Sequence, residues 1–266
     1  MSRTTMIGRS LLEVLLVLSI SLIPVASGLA VMVYQQDRKL AENARISLQE
    51  AIYSVDLSLD RLDAVVSNAL TLSGKPCAEV KPSLIKQVTE TQYLRSLTLS
   101  QNREVYCSSL AGVVDGAIDF AEIQAPLQLI VDATLTPSRA VLLYQLQRDD
   151  FSATATSYAD QLRDELSAFQ DGLTLLLEFG DAYIWNGDAS GLSRPSQSEY
   201  FQTAVSEKYG YTLKVGYAQG YSAQEARQSM ILVLPSLVLI GIVTGSIIYW
   251  AMFRRGPRGG NAVNPR

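Results

Sequence analysis

The chain has 266 residues, 48% of them hydrophobic, with a formal net charge of −4, two cysteines and no histidine. Such a chain lacks the basic surface that nucleic acid requires and cannot build a Ser-His-Asp triad. Two thiolates without an imidazole also leave a tetrahedral metal site half built, so neither a metal nor a cofactor is expected.

Apolar residues concentrate near the two ends. Residues 11–33 are almost continuously apolar apart from Glu13 and Pro24, and residues 230–253 form a second run without a charge. Each is long enough to cross roughly 30 Å of hydrocarbon as a helix. Arg3 and Arg9 precede the first run, while Arg254, Arg255 and Arg258 follow the second. The stretch between carries 16 Lys and Arg against 25 Asp and Glu. Basic flanks favour the cytoplasmic side. The expected organisation is a cytoplasmic N-terminus over 1–10, a transmembrane helix over 11–33, an exported domain over 34–229, a second transmembrane helix over 230–253 and a cytoplasmic tail over 254–266. A cleavable signal peptide is the rival account of the first run, because Ala26, Ser27 and Gly28 follow Pro24. Both accounts export the central domain.

Beyond the first run, Leu48, Ile52, Val55, Leu59, Leu62, Val66 and Ala69 recur at steps of four and three. That spacing predicts a helix over about 36–73, ended by Gly74 and Pro76. It serves either to pair with its copy in a dimer or to lie on its own sheet. Residues 93–100 and 104–108 flank Gln101-Asn102-Arg103 and read as a hairpin. Residues 127–133 and 141–147 alternate apolar with polar, split by Thr136-Pro137-Ser138. Ser157 with Asp160 resembles a capping box opening a helix whose apolar face is Leu162, Leu166 and Phe169. Residues 173–178 and 183–185 are a further pair of strands. A polar loop over 187–198 leads to a short helix over 200–208, and 212–217 is the last strand. Ser222 with Glu225 forms a second box, opening a helix that runs on into the second apolar span. The fold class is α+β and PAS-like: a long N-terminal helix, an antiparallel sheet of five or six strands and flanking helices, between two transmembrane helices.

Cys77 and Cys107 both fall in the exported stretch, where cysteines usually pair. Closing a loop of about 30 residues stabilises the fold by ~3.7 kcal/mol in the chain-entropy model. Such a bond would clamp the end of the long helix to the second arm of the hairpin. It is either a permanent staple or a switch; the absence of a C-x-x-C argues against thioredoxin-like chemistry.

The chain resembles the CSS-motif class of bacterial cyclic-di-GMP phosphodiesterases. The resemblance rests on Pro76-Cys77, on Val105-Tyr106-Cys107-Ser108-Ser109-Leu110-Ala111-Gly112, and on their placement between two apolar spans. It implies a periplasmic sensor domain in the bacterial inner membrane that responds to thiol state. The bonded form would restrain, and the reduced form release, a cytoplasmic EAL phosphodiesterase domain, with the periplasmic thiol-oxidation machinery as a partner. Here the sequence departs from the pattern. No Glu-Ala-Leu triplet occurs, and only residues 254–266 follow the second span. The expected role is therefore a sensory module, not itself an enzyme, acting on a domain or partner outside this chain. Asp149-Asp150-Phe151 is similar to a run in EAL enzymes, but it lies in the exported stretch without the following glycine and is read as coincidence. Ser108 and Ser109 have no histidine to activate them and are expected to bond local backbone.

Gly241 and Gly245 form G-x-x-x-G within the second span, a spacing that lets helix backbones approach in a homodimer. Tyr249 and Trp250 suit a belt against membrane lipid. The alternative function is a small-ligand sensor with a purely structural disulfide, its pocket lined by Tyr183, Trp185, Tyr200 and Tyr217; core packing is the other account of those rings.

Overall fold

A computed structural model describes residues 3–110, 125–131, 140–169, 172–187 and 194–253. The chain divides into two compact units, Met1–Leu40 with Ser222–Arg266, and Ala41–Tyr221. Two helices supply the apolar spans. Helix α1 covers Arg3–Leu70 and α4 covers Tyr221–Phe253, and both contain windows long and apolar enough to cross a membrane. Within them Ser19, Ser21, Ser27, Thr244 and Ser246 donate their hydroxyls to carbonyls three or four residues earlier. Hydroxyls within an apolar helix are satisfied in this way by the helix's own backbone.

Among the described residues, the second unit contains the last thirty residues of α1, two further helices and nine strands. In order these are α2 (Cys77–Glu90), β1 (Leu94–Gln101), β2 (Glu104–Ser108), β3 (Leu127–Val131), β4 (Ala140–Arg148), β5 (Phe151–Tyr158), α3 (Asp160–Ser167), β6 (Leu173–Phe179), β7 (Ala182–Trp185), β8 (Glu199–Val205) and β9 (Thr212–Tyr217). They form two antiparallel sheets, one ordered β2-β1-β5-β4-β3 and the other β7-β6-β9-β8. The α+β arrangement of long helix, antiparallel strands and flanking helices is the expected one. The five-stranded sheet matches the expected size, and the four-stranded sheet is additional.

On α1 the buried stripe is Ala44, Leu48, Ala51, Val55, Leu59, Leu62, Val66 and Ala69. Ile52 is only half-buried, and Ala51 takes its place. The stripe packs onto the chain's own domain, the second of the two roles open to it. Ile46, Tyr53 and Leu57 remain exposed on another side.

Three elements depart from the sequence reading. The region over 200–208 is not a helix: β8 pairs with β9 through Gln202↔Val215 and Ala204↔Leu213, because cross-strand packing on an open edge outweighs local helical preference. β5 reads as no strand by hydrophobicity, since Phe151-Ser152-Ala153-Thr154-Ala155-Thr156-Ser157-Tyr158 has small residues at its centre. It is nonetheless the middle strand of the larger sheet, paired on both sides. Ser157 belongs to it and donates to the Tyr93 carbonyl at 3.0 Å, so it does not cap α3, whose N-cap is Ala159. The third departure is α2, hidden by Pro82 inside it. That proline removes one intrahelical bond, and the burial of Val80 and Leu84 compensates.

Turn chemistry sets the hairpins. Asn102 and Arg103 have φ of 51° and 68° in the two-residue loop joining β1 to β2, the double left-handed geometry that matches strand twist. The Asp149-Asp150 pair occupies the equivalent loop between β4 and β5, with Asp149 at φ 54°. That explains the run as a turn. Helix α4 starts at Tyr221, one residue before Ser222, so Ser222 lies inside its first turn.

Candidate functional site

Cys107 sits near the end of β2, and the register of that strand determines where it points. Leu99 opposes Cys107 while Ser100 opposes Val105, leaving Tyr106 as an extra residue. This is a β-bulge, which bends a strand and re-aims its side chains. In a regular strand adjacent side chains face opposite ways; here Tyr106 and Cys107 both reach the same short segment of chain. Tyr106 accepts a hydrogen bond from the Gly74 amide at 3.2 Å. Cys107 is disulfide-bonded to Cys77, with Cα atoms 5.2 Å apart.

The bridge does not hold the end of the long helix directly. α1 stops at Leu70, and its last carbonyls are met by the amides of Thr71, Leu72 and Ser73 in a closing turn. Gly74 follows at φ +82°, a backbone shape that favours glycine, and Pro76 then precedes α2. Cys77 is the first residue of α2. The bond therefore pins the start of α2 to β2, and α1 feels it through the six residues 71–76. Cys107 is buried at 2% exposure whereas Cys77 is half-buried.

The two serines finish the strand. The Leu97 amide donates to Ser109 Oγ at 3.0 Å while the Ser109 amide donates to the Leu97 carbonyl at 2.9 Å. Ser108 Oγ accepts from the Leu110 amide at 3.3 Å. They hold the backbone on which Cys107 stands.

A second cluster, unread from the sequence, joins α1 to both sheets. Asp56, Asp60 and Asp63 lie one turn apart on the helix beside its apolar stripe. Tyr211 donates to Asp56 Oδ1 at 2.8 Å, as does Ser206, and Tyr209 donates to Asp60 Oδ1 at 2.5 Å. Lys208 pairs with Asp60, and Tyr144 of β4 donates to Asp63 Oδ1 at 2.7 Å. Burial, then the hydrogen bond each makes to a carboxylate, pushes the Tyr144, Tyr209 and Tyr211 phenols well above their ordinary value. The Lys208 ammonium, followed by the Tyr209 hydroxyl, holds Asp60 below the usual carboxylate range. Nearby, Ser54 and Ser58 donate to Glu165 of α3. The sequence signal was present: acids at i, i+4 and i+7 bordering an apolar helical stripe mark a face that meets polar partners.

Two of the four rings considered for a pocket, Tyr200 and Tyr217, are in contact with each other. Tyr217 is fully buried, stacks on Tyr221 at 4.7 Å and meets Tyr200 edge-on at 6.1 Å. Tyr183 lies under the Arg194 guanidinium at 5.8 Å, and Trp185 opposes Leu176 in the sheet. In the first unit, Gly241 and Gly245 face the other span of the same chain. A Cβ on Gly241 would lie 3.0 Å from the Ser21 carbonyl oxygen and 3.1 Å from Val25, and one on Gly245 would lie 3.2 Å from Ser21 Cβ. The same glycines border an open groove of about 600 Å³ with Ser246, Tyr249 and Trp250.

In sequence, the bridged α+β domain lies between two helices long and apolar enough to cross a membrane, the organisation of a membrane-associated module. The chain belongs to the CSS-motif family, described as the CSS motif domain associated with EAL, over residues 40–230. It is 27% identical over 248 residues to "Probable cyclic di-GMP phosphodiesterase PdeD" of Escherichia coli (strain K12), a match covering 87% of this chain and 45% of that protein. The chain thus spans less than half the length of that relative, and what aligns with the family is its sensor domain. Among solved structures it is similar to the extracellular domain of a protein described as a histidine kinase, rpHK1S-Z16, with 14% identity and a TM-score of 0.46 over 70% of this chain and 95% of the other.

Proposed function

We propose that this chain is a redox-responsive sensor, with residues 34–229 in the periplasm and both flanking termini in the cytoplasm. The Cys77–Cys107 bond is its input, and a cyclic-di-GMP phosphodiesterase domain or partner in the cytoplasm is its output. The observation that carries this reading is the convergence of Tyr106 and Cys107 on the segment just after α1. An envelope dithiol would give two electrons and two protons to the bond, leaving Cys77 and Cys107 as free thiols. Residues 71–76 and the start of α2 would then lose their covalent tie to β2, keeping the Tyr106–Gly74 bond and the burial of Val80 and Leu84, and the last turns of α1 would be held less tightly. The acidic loop between basic flanks supports the orientation.

We place the sensor in the membrane as a homodimer. Gly241 and Gly245 support pairing of the second span, since the groove they border is open to another helix. The exposed Ile46, Tyr53 and Leu57, spaced by seven and four on α1, support pairing outside the bilayer.

Trapping free thiols in intact membranes tests the proposal, with and without the envelope's oxidising system. Both cysteines should become labelled when oxidation is blocked, and cyclic-di-GMP turnover in the same cells should change with labelling. A bond that resists every condition, or opens with no change in turnover, would refute the redox reading.

A further inference from the structure

A cavity of about 480 Å³ lies within the domain between Asp63 of α1, the β3–β4 hairpin, and the turns joining β6 to β7 and β8 to β9. Its wall holds four aromatic rings: Tyr144, Tyr209, Tyr211 and Phe179. They form two pairs, Tyr144 with Tyr209 edge-on at 6.1 Å and Phe179 with Tyr211 tilted at 5.9 Å. We propose that this cavity is a binding site for a small organic ammonium compound, held by the aromatic wall and the Asp63 carboxylate.

The chemistry of the lining argues for that class. A cation is drawn to the face of an aromatic ring, more strongly when both are shielded from water. Three of the four rings are phenols whose hydroxyls already donate to carboxylates. Each phenol hydroxyl is therefore already engaged with a carboxylate, and the ring is what it has left to offer a ligand. The chain also supplies its own example, since the Lys208 ammonium sits 5.4 Å from the Tyr209 ring centroid.

Charge points the same way. Asp63 and Lys208 are the charged residues in the lining, with Asp56 and Asp60 immediately behind Tyr211 and Tyr209. Three carboxylates against one ammonium leave the neighbourhood negative, which opposes an anion and favours a second cation. The apolar remainder of the lining, Pro126 and Leu127, suits alkyl groups on nitrogen better than a fully hydrated inorganic cation.

This inference is independent of the disulfide, and its consequence is a second input. A ligand here touches α1 and both sheets at once, so occupancy would tighten the Asp–Tyr cluster whatever the state of Cys77.

Choline and its uncharged carbon isostere, 3,3-dimethylbutan-1-ol, are the probes, titrated calorimetrically into the full chain in lipid nanodiscs. Choline should bind with a Kd below 10 mM, roughly the upper limit such a titration reads, and the isostere at least tenfold more weakly, the loss expected on removing one desolvated cation interaction. Asp63→Asn should lose at least tenfold in choline affinity. Because that change also alters a bond to Tyr144, the exposed Ala125 at the rim gives a second variant. Ala125→Arg should fold normally by thermal unfolding and still weaken choline by repulsion. Equal binding of the two probes, no binding of either, or choline binding unaffected by both substitutions would overturn the proposal.

Discussion

Reduction of the Cys77–Cys107 bond is the most revealing perturbation, because it changes no residue. The bond closes a loop with a sequence separation of 30. Cutting it returns that loop's freedom to the unfolded chain and costs the fold ~3.7 kcal/mol in the entropy model. For a unit the size of Ala41–Tyr221, that corresponds to a fall in Tm of about 7–15 °C. Since domains of this kind hold roughly 5–15 kcal/mol in all, the reduced form should remain folded at ambient temperature. The local effect matters more than the global one. Hydrogen exchange followed by mass spectrometry should speed up at the start of α2, across residues 71–76 and into the last turn of α1 ending at Leu70. Exchange in β5, paired on both sides, should be unchanged. Equal Tm for the two forms would refute the energetic argument. Faster exchange confined to Cys77 and its immediate neighbours would refute transmission to α1 and leave the bond a staple.

Tyr211→Phe removes the one hydroxyl that lies within hydrogen-bond reach of both Asp56 and the Ile52 carbonyl, at a residue only 2% exposed; urea unfolding should show a loss of about 1–3 kcal/mol. The three tyrosines with raised phenol values predict alkaline weakening. The folded form keeps protons that the unfolded chain releases, so their contribution is complete below about pH 10 and is lost as pH rises further, and phenolate absorbance should appear together with unfolding. Thr154 has a buried hydroxyl with no hydrogen-bond partner; Thr154→Val should be neutral or stabilising by about 1 kcal/mol in the same urea assay. Gly241→Ile places a branched side chain where a Cβ already lies 3.0 Å from the Ser21 carbonyl oxygen. Self-association of the second span in a membrane reporter should fall at least severalfold if the glycine face pairs copies, and stay unchanged if it only seats the first span.

Much of this molecule is legible along the chain because its signals are local. Two long apolar runs define the spans. Steps of four and three define the buried stripe of α1, and the polar link Gln101-Asn102-Arg103 between two short runs marks the first hairpin. Presence of the Cys-Ser-Ser motif and of the upstream Cys77 is likewise a matter of order in sequence. What escaped depends on partners distant in the chain. β5 carries too little apolar bulk to announce itself and is a strand because β1 and β4 flank it. β8 is an edge strand because β9 offers a ladder, and α2 survives Pro82 because β1 and β2 cover Val80 and Leu84.

The site divides along the same line. Sequence by itself determined which sulfurs are available and what kind of compartment would join them, since redox chemistry and charge bias need only composition and order. Only the tertiary structure decided what the bond restrains. A one-residue bulge at Tyr106 turns Cys107 toward α2, and a closing turn after Leu70 separates α1 from Cys77. Three aspartates reach three tyrosines, from β4 and from the β8–β9 turn and the residue just after it. Each depends on register and approach between segments far apart in sequence, which local patterns of hydrophobicity do not encode.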